Sequence, residues 1–262
     1  MSPSELELHL RMRLSAGRKL FVPYLTAGLP SPQGFVDLVD EMGEFADAIE
    51  VGIPFSDPIM DGPVIQEAST RALRAGATVV RCFEMIREAL RHGSSGAPIV
   101  VMTYFNPVHR MGHKKVADAF RRAGVRGLIV PDLPFEESEG VLEAMAAAGI
   151  ASVQMVAPTT SPERARMLAA GSTGFVYAVS RMGVTGERQA LDRAARAVVR
   201  RIRPHTRLPI LLGIGISNGV QARSAAALAD GVIVGSAIMK KVLDGDLLRA
   251  VGLAREIRAA LG

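Results

Sequence analysis

Tryptophan is absent from this sequence, and there is one cysteine, Cys82, among 262 residues. A single cysteine excludes an intrachain disulfide and is typical of proteins from a reducing compartment. No apolar run reaches the length of a transmembrane helix, and the N-terminal stretch SELELHLRMRLSAGR is amphipathic, unlike a secretory signal. We therefore expect a soluble, cytoplasmic protein that does not enter a membrane.

Aromatic residues are also scarce, at 5% of the chain, although the net charge is +5. A nucleic-acid-binding protein would concentrate its basic residues in a patch, whereas the arginines here are scattered over predicted helix faces. We interpret the charge as helix surface charge with some attraction for an anionic substrate. Nucleic-acid binding is not expected.

Hydrophobic residues are plentiful, at 48%, and recur in a repeated unit in which a helix end and a glycine lead into an apolar run. The units are RRAGVRGLIVPDLPF from Arg121, AAAGIASVQMVAP from Ala146, LAAGSTGFVYAVS from Leu168 and AALADGVIVGSA from Ala226. We expect each glycine to end its helix, because glycine adopts the left-handed conformation freely. Continuous rather than alternating hydrophobicity indicates strands covered on both faces, as in a parallel sheet.

The whole chain contains eight such strand candidates, which alternate with helices. They are Leu20–Leu25, Ala48–Val51, Ile99–Met102, Gly127–Val130, Ser152–Val156, Gly174–Ala178, Pro209–Leu212 and Gly231–Val234. Eight strand–helix units predict an α/β protein of the (β/α)8 TIM-barrel class, a single domain over residues 1–262 with an additional N-terminal helix. The alternative, a doubly wound open sheet, would carry a glycine-rich fingerprint after its first strand, where this chain has YLTAGLP.

The intervals after the second and sixth strands are longer than the others. In a barrel these extra residues belong to loops at the C-terminal face, where active sites are found. The interval after the second strand also has room for two helices, QEASTRALRAG and TVVRCFEMIREALR. We predict long loops after strands 2 and 6.

The segment IEVGIPFSDPIMDGP, from Ile49 to Pro63, contains two candidate catalytic carboxylates. Glu50 has apolar neighbours on its strand, which should raise its pKa toward neutrality. Asp61 lies in a proline-rich loop that can present it to a ligand. The alternatives are that Glu50 pairs with an arginine of the barrel and that Asp61 caps the helix that begins near Pro63.

Glycines follow the last three predicted strands, as GVTG from Gly183, GIGIS from Gly213 and GS from Gly235. These loops are neighbours in a closed barrel, and their backbone N–H groups, with the Ser236 hydroxyl, could bind a phosphomonoester. Each pair alone would be explained by turn formation. Together they predict a phosphate site.

These motifs resemble the α subunit of tryptophan synthase, which cleaves indole-3-glycerol phosphate to indole and glyceraldehyde 3-phosphate. The similarity runs nearly end to end, through FVPYLTAG, IEVGIPFSDPIMDGP, MTYFNPV, IVPDLPFEE, YAVSRMGVTG, GIGIS and VGSAI. The chain departs from the family at Leu29, where the family commonly has aspartate in a loop near the partner subunit.

The resemblance implies roles for twelve residues. Glu50 and Asp61 would be catalytic. The residues implied to bind the substrate are Tyr177, Tyr24, Ile65, Tyr104, Thr185 and Ile214, and those implied to bind its phosphate are Gly186, Gly215, Gly235 and Ser236.

The resemblance also implies a partner, the tryptophan synthase β subunit, in an α2β2 complex that receives the indole. The β subunit would hold pyridoxal phosphate, and this chain would need no cofactor. His109 and His113 do not indicate a metal site, since Gly112 should interrupt the helix between them and no third ligand is apparent. The alternatives are a stand-alone indole-releasing lyase, another phosphate-binding barrel such as an isomerase of the same pathway, and a catalytically decayed subunit, which would lack one of the carboxylates.

Overall fold

Eight parallel strands form a closed barrel in the computed structural model, which describes residues 3–92, 96–179, 188–213 and 215–262. The strands are β1 Leu20–Thr26, β2 Ile49–Gly52, β3 Ile99–Met102, β4 Val125–Ile129, β5 Ala151–Val156, β6 Val176–Val179, β7 Ile210–Gly213 and β8 Gly231–Val234. Each strand pairs with the next, and β8 pairs with β1. The predicted (β/α)8 TIM barrel is therefore confirmed.

Helices connect the strands and cover the outside of the barrel. They are α1 Glu5–Ser15, α2 Pro32–Gly43, α3 Pro63–Arg74, α4 Val79–His92, α5 Phe105–Met111, α6 His113–Ala123, α7 Glu139–Ala147, α8 Pro162–Gly171, α9 Arg188–Ile202, α10 Gly219–Ala226, α11 Ser236–Leu243 and α12 Leu247–Leu261. Short 3₁₀ turns span Phe135–Glu137 and Arg203–His205. Within the described ranges, none of these helices has the length and apolarity needed to cross a lipid bilayer.

The strands are buried on both faces, as their continuous hydrophobicity predicts. Every residue of β1 and of β8 is buried. All eight predicted strands overlap observed ones, and β3 and β8 have the predicted bounds.

The repeated unit is less uniform than predicted. Gly124 and Gly149 follow helices α6 and α7 with φ angles of 84° and 73°, as expected for glycines that end a helix. Gly231, in contrast, opens β8, five residues after α10 has ended at Ala226. A Cβ atom there would lie 2.3 Å from the carbonyl oxygen of Leu20, so this glycine is needed for the close approach of β8 to β1.

The predicted N-terminal helix, α1, closes the N-terminal end of the barrel. Its Leu6 and Leu10 are fully buried and pack in the cluster that fills the barrel interior. Asp47, just before β2, accepts hydrogen bonds from the backbone N–H of Phe21 (2.9 Å) and from Arg258 of α12 (2.8 Å). This end of the molecule is tied together by apolar packing and a buried ion pair, which leaves the opposite end for function.

The interval after β2 contains two helices, α3 and α4, as predicted, and Cys82 is buried in α4. The loop before α3 spans residues 53–62 and includes Asp61. The interval after β6 includes residues 180–187, which lie outside the described part of the chain, so the long loop predicted there is not described.

Candidate active site

Glu50 lies in the middle of the barrel wall, on β2, and only 2% of it is exposed. It is in register with Tyr24 of β1 and with Val100 of β3. The short strand IEVG has apolar neighbours on both sides of Glu50, so the chain carries this carboxyl group into the interior along with its hydrophobic neighbours.

Burial raises the pKa of Glu50 to about 8, and the nearby charge of Asp61 adds to the effect. Its Oε2 atom is buried and has no hydrogen-bond partner within the described ranges. The charge that acts on Glu50 is the acidic one of Asp61, and no arginine in the described part of the chain pairs with Glu50, which argues against the alternative of a barrel ion pair. At neutral pH this carboxyl group is mainly protonated and can donate a proton.

Asp61 lies in the loop between β2 and α3, where its backbone N–H donates to the carbonyl of Pro58 (3.0 Å). The N-cap of α3 is Gly62, with Pro63 in the first helical turn, so the alternative in which Asp61 caps the helix is wrong. Burial raises the pKa of Asp61 to about 6, while a hydrogen bond from Tyr104 lowers it. Asp61 is therefore mainly ionised at neutral pH, unlike Glu50.

Two tyrosines flank Glu50 inside the barrel. Burial is the main cause of the raised pKa of both Tyr24 and Tyr177. The next cause is the negative charge of a carboxylate, which is Asp61 for Tyr24 and Glu50 for Tyr177. A Cβ atom on Gly52 would lie 2.0 Å from the Tyr24 phenol oxygen, and one on Gly213 would lie 2.7 Å from that of Tyr177. Glycine at these two strand ends therefore leaves room for the phenol rings.

Tyr104 and Ile65 complete the apolar side of the site. Tyr104 follows β3, is 3% exposed, and stacks on the ring of Phe55 with centroids 4.8 Å apart. Ile65, in the first turn of α3, is 7% exposed and belongs to the same hydrophobic cluster as Tyr24. The phenol oxygen of Tyr104 accepts a hydrogen bond from the backbone N–H of Met60, next to Asp61.

The predicted phosphate residues that the structure describes lie at the ends of β7 and β8. Gly215 is exposed and has φ = 70°, a left-handed conformation that suits glycine. Gly235 is the N-cap of α11, and the exposed Ser236 is the first residue of that helix. Thr185, Gly186 and Ile214 lie outside the described residues.

Gly235 connects the two halves of the site. A Cβ atom there would lie 3.3 Å from Cβ of Tyr24, which is itself in register with Glu50. The start of α11 is therefore next to the tyrosines and the carboxylates at the C-terminal end of the barrel, where backbone N–H groups and the helix dipole favour an anion.

His109 and His113 do not form part of a common site. His109 belongs to α5 and His113 to α6, and Gly112 separates the two helices with φ = 84°. Within the described ranges no group of three potential metal ligands occurs.

The whole arrangement suits proton transfer on a substrate that is aromatic at one end and anionic at the other. The model of the tryptophan synthase alpha chain family matches residues 10–258. The chain belongs to this family. The predicted resemblance is thereby confirmed.

Relatives of known sequence agree with the family match. The tryptophan synthase alpha chain of Streptomyces avermitilis is 43% identical over 247 residues, which are 94% of this chain and 88% of the relative. That of Thermobifida fusca is 44% identical over 250 residues, which are 94% and 92% of the two chains.

Solved structures agree as well. A structure of Mycobacterium tuberculosis tryptophan synthase is similar with a TM-score of 0.91 and 37% identity over 99% of both chains. The alpha subunit from Legionella pneumophila is similar with a TM-score of 0.90 and 31% identity over 99% of both chains. As a tryptophan synthase alpha chain, the protein is a carbon–carbon lyase of tryptophan biosynthesis, and its reaction is the cleavage of indole-3-glycerol phosphate to indole and glyceraldehyde 3-phosphate.

Sequence reasoning missed two contacts of this tryptophan synthase alpha chain. Phe55 lies in the loop after β2, and its ring stacks on Tyr104, a residue of the loop after the next strand. Asp132 accepts a hydrogen bond from the backbone N–H of Phe105 at 2.8 Å, at the start of α5. The position of Asp132 just after a predicted strand indicates that it lies at the rim of the barrel, but it does not indicate the contact with Phe105. Leu29 is buried in the core.

Proposed function

We propose that Glu50 and Asp61 perform the cleavage of indole-3-glycerol phosphate, with Glu50 transferring protons and Asp61 remaining ionised. The observation that carries the proposal is the difference between the pKa values of these neighbouring carboxyl groups, about 8 for Glu50 and about 6 for Asp61. Unequal pKa values in adjacent groups are how enzymes assign acid and base roles at neutral pH.

The first step is protonation of the indole ring at C3. Breaking the bond between C3 and the glycerol carbon directly would leave a poorly stabilised carbanion, so the ring must first become an electron sink. Glu50, protonated at neutral pH and with a buried Oε2 that has no partner within the described ranges, would donate this proton.

Protonation at C3 places positive charge on the ring nitrogen. Asp61 would accept a hydrogen bond from that N–H group and stabilise the charge as it develops. Its position in a loop beside the buried end of β2, with its charge acting on Glu50, suits this electrostatic role.

The second proton transfer returns Glu50 to its starting state. The Glu50 carboxylate formed in the first step would remove the proton from the hydroxyl group next to C3. The C–C bond then breaks, its electron pair restores the aromatic indole, and the hydroxyl carbon becomes the aldehyde of glyceraldehyde 3-phosphate. The proton that Glu50 gives to C3 is replaced by the proton of the hydroxyl group, and the cleavage needs no oxidant or reductant.

The remaining residues would bind the two ends of the substrate. Tyr24, Tyr104, Tyr177 and Ile65 would surround the indole ring, with Ile214, while the start of α11 would bind the phosphate. The phosphate residues would be Gly215, Gly235 and Ser236, with Gly186, and Thr185 would contribute to the loop above the substrate. No cofactor of this chain takes part in these steps, and pyridoxal phosphate would be held by the partner.

The partner proposed for this chain is the tryptophan synthase β subunit, in an α2β2 complex to which the indole passes. Ile59 and Met60, two adjacent residues just before Asp61, are 67% and 51% exposed, and this pair of exposed apolar side chains suits a protein contact beside the site. A cytoplasmic location and one barrel domain over residues 1–262 complete the proposal.

Incubation of the purified chain with indole-3-glycerol phosphate tests this proposal. We expect indole to be released by the chain alone and to be released faster when a pyridoxal-phosphate-containing β subunit is added, as followed by the absorbance of indole after extraction. No indole with or without the β subunit would contradict the proposed reaction. Equal rates in the two conditions would contradict the partnership and favour a stand-alone lyase.

A further inference from the structure

Tyr104 is placed so that it holds the loop containing Asp61. Its phenol oxygen accepts a hydrogen bond of 3.0 Å from the backbone N–H of Met60, across 44 positions of sequence. Its ring stacks on Phe55, with centroids 4.8 Å apart and planes 18° from parallel. Phe55 and Met60 belong to the same loop after β2, so Tyr104 contacts that loop at two points.

The phenol proton of Tyr104 has an acceptor of its own. Because the oxygen receives the Met60 N–H group, the hydroxyl group is free to donate, and Asp61, the next residue after Met60, carries the neighbouring acceptor. The hydrogen bond from Tyr104 lowers the pKa of Asp61 against the effect of burial. Among the residues that the structure describes, the other titratable groups on which the charge of Asp61 acts are Glu50 on β2, Tyr24 on β1 and Tyr177 on β6.

Tyr104 is itself fixed by the rest of the barrel. It is the N-cap residue of α5, and 3% of it is exposed. The next residue, Phe105, donates its backbone N–H to the Asp132 carboxylate at 2.8 Å, so the loop after β4 holds the start of α5. The loops after β2, β3 and β4 are therefore connected through the adjacent residues Tyr104 and Phe105.

We propose that Tyr104 is a positioning residue for the cleavage reaction: through its contacts with Met60 and Phe55 it holds the loop that contains Asp61, and its hydroxyl group donates to the Asp61 carboxylate and orients it toward the indole ring nitrogen. The inference rests on the role proposed above for Asp61. It gives Tyr104 a function beyond lining the indole pocket, since the residue acts through Asp61.

The variant Tyr104→Phe tests the inference, because it keeps the ring and its stacking on Phe55 but removes the hydroxyl group. We expect the acidic limb of the pH profile of kcat/KM to move up by about one pH unit, since a hydrogen bond to the charged form is lost. With that shift, kcat/KM falls about fivefold at pH 6 and less than twofold at pH 8 relative to wild type. A purely structural role would lower activity at all pH values and leave the limb where it is.

Tyr24→Phe is the matched control, since it removes another buried phenol from the same cluster. The Tyr24 hydroxyl is hydrogen-bonded to Thr26 rather than to Asp61. We expect this variant to leave the acidic limb in place, whatever it does to the rate. A shift of equal size in both variants would overturn the inference.

Titration of the Asp61 carboxyl carbon by NMR, assigned with Asp61→Asn, gives a readout that does not need activity. A higher Asp61 pKa in Tyr104→Phe than in wild type and in Tyr24→Phe supports the inference, and an unchanged one overturns it. Wild-type cleavage by Asp61→Asn would instead contradict the role proposed for Asp61, so the two failures are distinguishable.

Discussion

Replacing Glu50 with glutamine is expected to lower kcat for cleavage of indole-3-glycerol phosphate by about 10⁴-fold, the upper range for loss of a general acid–base group. The amide has nearly the same shape but can neither donate a proton to C3 nor accept one from the hydroxyl group. Substrate binding should be retained, because the proposed indole and phosphate contacts are made by other residues. Steady-state indole release gives the rate, and calorimetric titration gives the affinity.

The stability of Glu50→Gln shows whether the variant is folded. In the wild type, the pKa of Glu50 is raised to about 8, so the folded chain holds a proton that the unfolded chain releases near its ordinary value. The free energy of unfolding therefore falls as the pH rises from the unfolded pKa through about 8, and glutamine removes this loss. We expect the variant to resist urea better than wild type at pH 9, with a smaller difference at pH 5.

Glu67→Gln is the matched control for this change, because Glu67 is an exposed residue of the nearby α3 that pairs with Arg71. It should cleave the substrate at the wild-type rate, since an exposed ion pair contributes little to stability. Near-normal turnover by Glu50→Gln would refute the acid–base role of Glu50.

Replacing Asp61 with asparagine is expected to lower kcat/KM by about 10² to 10³-fold, as for the loss of one group that stabilises charge in the transition state. The asparagine oxygen can still accept from the indole N–H group, but it is neutral and cannot offset the positive charge that forms on the ring. Indole release by the purified chain at pH 7 measures the effect.

Asp57→Asn is the control for Asp61→Asn, because Asp57 is an exposed carboxylate of the same loop. It changes the net charge of the chain by the same amount, so an effect of long-range charge alone would appear in both variants. We expect the isolated chain to keep its activity with Asp57→Asn. Equal losses in the two variants would count against a direct role of Asp61.

Local sequence patterns were sufficient to predict the barrel and the raised pKa of Glu50. Continuous apolar runs predict strands buried on both faces, and the strands follow these runs, with the predicted bounds for β3 and β8. The apolar neighbours of Glu50 on β2 predict a raised pKa, and its pKa is about 8. Both features depend on residues that are close in sequence.

Contacts between distant loops could not be predicted in this way. Tyr104 and Met60 are 44 positions apart, and Phe105 and Asp132 are 27 apart, so no local pattern relates them. The alternative in which Asp61 caps α3 follows a sequence rule, but Gly62 is the N-cap residue of that helix. Gly231 was expected to end a helix, whereas the close approach of Leu20 on a neighbouring strand requires it.

The pH dependence of kcat/KM for the isolated wild-type chain tests the two-carboxylate mechanism most directly. Asp61 must be ionised and Glu50 must be protonated when the substrate binds, so the rate should rise through about pH 6 and fall through about pH 8. The activity that remains in Asp61→Asn should no longer rise through about pH 6, because the group that titrates there is absent. A rate that stays constant from about pH 5 to about pH 9 would contradict the mechanism, because neither carboxyl group would then control the reaction.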